Sequence, residues 1–130
     1  MENRRVVADT TIFVAYLRAT KKEKTKLIKL TKEAEILVTA VTIYELLMGA
    51  RTEEKQQHVF DLVEGLTILP FDNTAAVKAS EIFHQLRRSN QIIEFRDIFI
   101  GAICLTNELP VCTINFNHFN RIDGLELYAI

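Results

Sequence analysis

The chain alternates short apolar runs with longer stretches whose apolar positions recur every three to four residues. Arg5-Val6-Val7-Ala8 is a short apolar run ending at Asp9, the pattern of a buried strand. From Thr10 to Arg18, Ile12, Ala15 and Tyr16 fall at i, i+3 and i+4, which predicts a helix. Lys21 to Glu35 reads as a second helix, with Leu27, Leu30 and Ala34 on one face and lysines elsewhere. Ile36 to Thr39 is the next strand. Val41 to Arg51 follows as a helix with Ile43, Leu46, Leu47 and Ala50 as its stripe. Thr52 is placed to cap another helix, with Glu53 and Glu54 in its first turn and Val59, Leu62, Val63 and Leu66 as its apolar positions. Thr67 to Pro70 reads as a strand, and Asp72 or Asn73 caps a long helix carrying Ala76, Ala79, Ile82, Phe83 and Leu86. Asp97 to Asn107 is a nearly all-apolar helix, and Val111 to Thr113 a strand. A turn or short helix at Asn117 to Asn120 precedes a last strand near Leu125 to Tyr128.

Strands alternating with helices predict an α/β fold: a mainly parallel sheet of four to five strands with helices on both faces. In such sheets ligands bind outside the carboxyl ends of the strands, so those ends are where chemistry is sought.

Composition narrows the picture. The 130 residues suit one domain, 1–130, with a core that forms without disulfides. Four Gly and two Pro imply short loops. A net charge of −1 excludes bulk electrostatic binding of nucleic acid, so any such contact needs a local patch. The two cysteines, Cys104 and Cys112, lie in apolar segments and read as core residues. The first residues lack a signal-peptide apolar region, and no apolar run reaches the ~20 residues that span a bilayer. A cytoplasmic protein without membrane contact is expected.

The acids then stand out by position. Asp9 directly follows the first strand, where it can cap the next helix or serve an active site. Glu45 closes Thr42-Ile43-Tyr44-Glu45, a capping-box spacing. Yet its helix is apolar beyond one stripe, and a buried carboxylate needs a partner, which a metal can be. Asp97 is the only charge at the head of the helix Asp97-Ile98-Phe99-Ile100-Gly101-Ala102. Gly101 lies one turn on; a mid-helix Gly costs ~1 kcal/mol against Ala, understandable where another group must come close. Asn115 lies just past the fourth strand. All four fall near one predicted sheet edge. Carboxylates that close raise one another's pKa unless a cation compensates, and hard oxygen donors select Mg²⁺ or Mn²⁺ over zinc.

On these residues the chain resembles the PIN-domain ribonucleases, more narrowly the VapC-type toxins of toxin–antitoxin pairs. The resemblance runs from about Val6 to Leu127. Its segments are Val7-Ala8-Asp9-Thr10-Thr11, Thr39 to Leu46, Phe95-Arg96-Asp97-Ile98-Phe99-Ile100-Gly101-Ala102 and Thr113-Ile114-Asn115-Phe116-Asn117-His118-Phe119. It implies a single PIN domain, a three-layer α/β/α sandwich, and a Mg²⁺-dependent endoribonuclease in which Mn²⁺ can substitute. Asp9, Glu45 and Asp97 carry over as metal-holding acids, with Asn115 as a further catalytic position and Thr11 and Thr113 as accessory hydroxyls. Where many members have an acid before the tail Phe, this chain has His118. His118 can bind a metal, contact phosphate or lie on the surface. Cleavage by water leaving a 5′-phosphate and a 3′-hydroxyl, a cognate antitoxin that inserts a segment into the acidic pocket, and homodimerisation are implied by the same resemblance.

RNA must also be held. Lys21, Lys22, Lys24, Lys26, Lys29 and Lys32 crowd one segment, and Arg87, Arg88 and Arg96 are other cations, although most such runs are solvated faces. Two rivals remain. A phospho-acceptor receiver domain needs an acid pair after its first strand and a Lys after its last, and the chain has one Asp and no such Lys. A catalytically impaired PIN-like module that only binds protein or RNA is kept open by His118.

Overall fold

A computed structural model describes residues 4–130. Its sheet has four strands: β1 (Arg4–Ala8), β2 (Ala34–Thr39), β3 (Thr67–Leu69) and β4 (Val111–Cys112). They lie in the order β3-β2-β1-β4, and every registered pair is parallel. The expected fifth strand is reduced to a single parallel bridge between Val111 and Leu127, held by Tyr128 N–H to Val111 O at 2.8 Å.

The helices are α1 (Thr10–Arg18), α2 (Lys26–Thr31), α3 (Ala40–Gly49), α4 (Glu53–Val63), α5 (Asn73–Arg88), α6 (Phe95–Thr106) and α7 (Phe116–Phe119). The pleat sends successive side chains to opposite faces, so each inner strand feeds two cores. Val7, Leu37 and Val111 pack with α5 and α6 through Ala79, Ile82, Leu86, Ile100 and Ile103. Val6, Ala8, Ile36 and Val38 pack on the other face with Ile12, Phe13, Leu30, Leu46 and Val59 from α1 to α4. The result is the expected three-layer α/β/α sandwich. Cys104 and Cys112 are buried and unpaired in these cores. Among the described residues, no helix is long and apolar enough to cross a membrane.

The expected helix from Lys21 to Glu35 breaks into three pieces: a 3-10 turn at Lys22–Lys24, the short α2, and a β2 that already begins at Ala34. Tertiary contacts override the lysine-rich helical pattern. Lys22 Nζ donates to the carbonyls of Tyr16, Leu17 and Ala19 at 2.8, 3.0 and 3.3 Å, satisfying the C-terminal end of α1. Ala34 and Glu35 pair with Arg4 and Arg5 in register, and Arg5 meets Glu35 at 3.5 Å.

Strand order locates the site. From β1 the chain goes to β2 on one side, while β4 returns on the other. The carboxyl ends of β1 and β4 therefore flank the point where the sheet's winding reverses, the usual binding crevice of open parallel sheets. Asp9 and Thr113 are the first residues past those two ends.

Candidate functional site

Asp9 joins β1 to α1 and has two tasks. Its Oδ1 accepts the N–H of Ile12 at 3.4 Å, capping α1, and its backbone N–H donates to Cys112 O at 3.0 Å. Thr11 Oγ1 donates to Oδ1, and Thr113 Oγ1 donates to Oδ2 at 2.6 Å. The side chain is buried, with 1% of its surface exposed. Burial pushes its carboxyl up from 3.8 to about 6, and the Asp97 charge adds to that rise, while the Thr11, Thr113 and Ile12 donors oppose it.

Glu45 does not serve the capping box that its spacing suggested. The N-cap of α3 is Thr39, whose hydroxyl accepts Thr42 N–H at 3.2 Å, so Thr42 is already inside the helix. Glu45 then lies one turn in and points across to α1. Its Oε1 accepts from Thr10 Oγ1 at 2.7 Å, and Arg96 approaches its Oε2 at 3.7 Å. Thr10 and Thr42 share a 2.9 Å hydroxyl contact, which ties the two helix starts together. The sequence pattern marks Thr42 only as a helix cap and gives Thr10 no role of its own, because a Thr in a helix's first turn is unremarkable until its neighbour across the cleft is known.

Asp97 falls in the first turn of α6 rather than at its cap, since the helix already starts at Phe95. Its Oδ2 lies 2.8 Å from His118 Nδ1, and the Asn115 side-chain amide lies 2.7 Å from that same nitrogen. Asn115 N–H donates to Thr113 Oγ1 at 2.8 Å.

Asp9, Glu45 and Asp97 thus line one cleft of about 340 Å³ together with Thr10, Thr11, Val14, Ala15 and Arg18. Arg18 was not among the cations read from the sequence. Among the described residues, no three Asp, Glu, His or Cys side chains converge tightly enough to form a complete metal cage. The donors still fit a hard cation. They are all oxygens, and one is a buried carboxylate whose charge is disfavoured by burial and by a second acid. Mg²⁺ is held through one or two carboxylates plus waters rather than by an all-protein cage. Beside the cleft a groove is lined by Ala40, Val41, Tyr44, Phe71, Phe95 and Phe99, with Arg96 on the boundary.

Comparison with known proteins gives a consistent result. The PIN domain family model matches residues 6–125. The chain is 28% identical over 130 residues to ribonuclease VapC1 of Methanocaldococcus jannaschii, covering 98% of this chain and 89% of that one. It is 26% identical over 121 residues to ribonuclease VapC10 of Mycobacterium tuberculosis, covering 93% of this chain and 90% of that one. Its fold is similar to VapBC2 from Rickettsia felis, solved bound to a promoter DNA fragment, with a TM-score of 0.81, 22% identity and coverage of 95% and 97%. VapBC-1 from nontypeable Haemophilus influenzae matches with a TM-score of 0.83, 18% identity and coverage of 95% and 96%.

Proposed function

Because the chain belongs to the PIN-domain family, we propose that it is an endoribonuclease that cuts RNA phosphodiester bonds as the toxin of a toxin–antitoxin pair. The observation that carries this reading is the meeting of Asp9, Glu45 and Asp97 in one cleft at the reversal point of the sheet. The whole chain, 1–130, acts as one domain and works in the cytoplasm.

Asp9 and Asp97 hold Mg²⁺, with Mn²⁺ able to replace it, and Glu45 holds it directly or through water. When bound, the ion neutralises charge on the scissile phosphate and makes water a stronger nucleophile. The remaining work belongs to the side chains. Thr11 and Thr113 orient Asp9, Thr10 and Arg96 orient Glu45, and Arg18 offers the cleft a cation for phosphate. Water adds to phosphorus in line, and the bond to the 3′ oxygen breaks, leaving a 3′-hydroxyl and a 5′-phosphate.

The partner is a cognate antitoxin protein that enters the acidic cleft; the similar VapBC structures support that pairing. Self-association as a homodimer uses the aromatic groove beside the cleft, where Tyr44 and Phe95 are 59% and 58% exposed.

Asp97→Asn keeps the shape of the side chain and removes its charge. Cleavage of labelled RNA in Mg²⁺ or Mn²⁺ is expected to fall on the order of a hundredfold or more, the worth of several kcal/mol, with an unchanged circular dichroism spectrum. Undiminished metal-dependent cleavage by the variant would sink the assignment. RNA that the wild-type protein binds but never cuts would favour the impaired binding module instead.

A further inference from the structure

The segment that runs from the end of β4 into α7 reaches both central carboxylates. At its start, Thr113 Oγ1 donates to Asp9 Oδ2 at 2.6 Å and accepts Asn115 N–H at 2.8 Å. At its end, His118 Nδ1 lies 2.8 Å from Asp97 Oδ2. Asn115 stands between the two, with its side-chain amide 2.7 Å from His118 Nδ1. Phe119 next to it is fully buried in the core, so the segment is anchored.

We propose that His118 is a positioning residue: with Asn115 it forms one arm of a clamp, Thr113 being the other, that fixes Asp97 relative to Asp9. This rests on the reading of the cleft given above. Proton inventory fixes how the arm works. A carboxylate offers only lone pairs, so the short approach to Asp97 Oδ2 places a proton on Nδ1. A protonated Nδ1 cannot accept from the Asn115 NH₂ group. The amide must then present its oxygen, an orientation equivalent in shape to the opposite one. The Nδ1 proton is shared between Asp97 Oδ2 and Asn115 Oδ1, and the imidazole is held from two sides.

This changes the meaning of a histidine at this position. An acid here would add a ligand and more negative charge beside Asp97. His118 commits Nδ1 to the Asp97 carboxylate, so that nitrogen restrains a ligand instead of binding the metal, and the variants below separate its work from that of Nε2. The contact is partly shielded, with His118 and Asp97 side chains 33% and 18% exposed. Hydrogen bonds to ligating groups of this kind change metal affinity or activity by ~10–100-fold when removed.

Two amides separate this role from others. An Asn side chain places its N–H near the Nδ1 position, whereas a Gln reaches the Nε2 position. Wild type, His118→Asn, His118→Gln and His118→Ala are compared by Mn²⁺ titration calorimetry without RNA, by kcat and KM on a labelled RNA, and by thermal melting. His118→Ala and His118→Gln are expected to weaken Mn²⁺ binding about tenfold and to lower kcat by a similar factor. KM for RNA should change little, and His118→Asn should stay within about threefold of wild type. Wild-type Mn²⁺ affinity and kcat in folded His118→Ala would overturn the proposal. So would rescue by Gln and not by Asn, which would assign the work to Nε2. A wild-type protein that neither binds Mn²⁺ nor cuts RNA would remove the reading of the cleft itself, and this inference with it.

Discussion

Asp9 both caps a helix and lines the acidic cleft. Its position after β1 was legible from the sequence, and so was the choice between cap and active site. The geometry does not force the choice: Oδ1 caps α1, and Oδ1 and Oδ2 also accept from the Thr11 and Thr113 hydroxyls. The cost appears in protonation. The carboxyl is pushed up from 3.8 to about 6, chiefly by burial, so the folded state holds this proton more tightly than the unfolded chain. That stabilisation is complete below the unfolded value and is lost as pH rises through about 6. At pH 8 the buried charge therefore costs up to about 3 kcal/mol. Asp9→Asn removes the charge and keeps an acceptor for a threonine. In metal-free denaturant titrations, the variant should be ~2–3 kcal/mol more stable than wild type at pH 8, narrowing to ~1 kcal/mol near pH 4.5. Mg²⁺ should stabilise wild type and leave the variant unmoved. A stability gap that ignores pH would contradict the account.

At the scale of elements, strands and buried helices were legible because their apolar periods are unambiguous. Helix starts were less so, since they depend on which side chain reaches which backbone donor. Thr42 looked like the N-cap of α3, but Thr39 holds that place, and this shift frees Glu45 for the cleft. The lysine-rich segment lost its helical continuity to contacts with α1 and β1 that lie far off in sequence. Gly101 is the point of close approach that its mid-helix position suggests. A Cβ there would sit 2.6 Å from Ile122 Cδ1, so α6 and the segment after α7 pack through that glycine. Gly101→Ala gains ~1 kcal/mol of helix propensity but meets an overpacking cost of ~1–3 kcal/mol. A net loss of about 1 kcal/mol is expected in chemical denaturation. Ile122→Val removes the clashing methyl, so the double variant should be more stable than Gly101→Ala alone. Additive losses in the two would mean that the contact does not limit packing there.

For the whole molecule, the three layers and the gathering of acids at one sheet edge followed from strand–helix alternation. The grip of His118 on Asp97, across 21 residues of sequence, did not, because no local period encodes it. The aromatic groove was equally hidden. Tyr44, Phe71, Phe95 and Phe99 come from α3, the β3–α5 turn and α6, and each reads locally as an ordinary core residue. Together they leave Tyr44 and Phe95 more than half exposed beside a tilted Phe71–Phe99 ring pair with centroids 4.4 Å apart. Grouped exposed apolar side chains are a common feature of surfaces that bind another protein. If a second copy covers it, wild type should sediment at about twice 14.9 kDa at micromolar concentration. Phe95→Asp would bury a charge at the centre of that contact. An anchoring residue of this type is worth ~2 kcal/mol or more, so the dimer dissociation constant should rise at least about thirtyfold. Phe60, on α4 outside the groove and 50% exposed, supplies the control. Phe60→Asp should leave association unchanged, and equal loss in both variants, or a wild type that stays monomeric, would remove this face as the dimer contact.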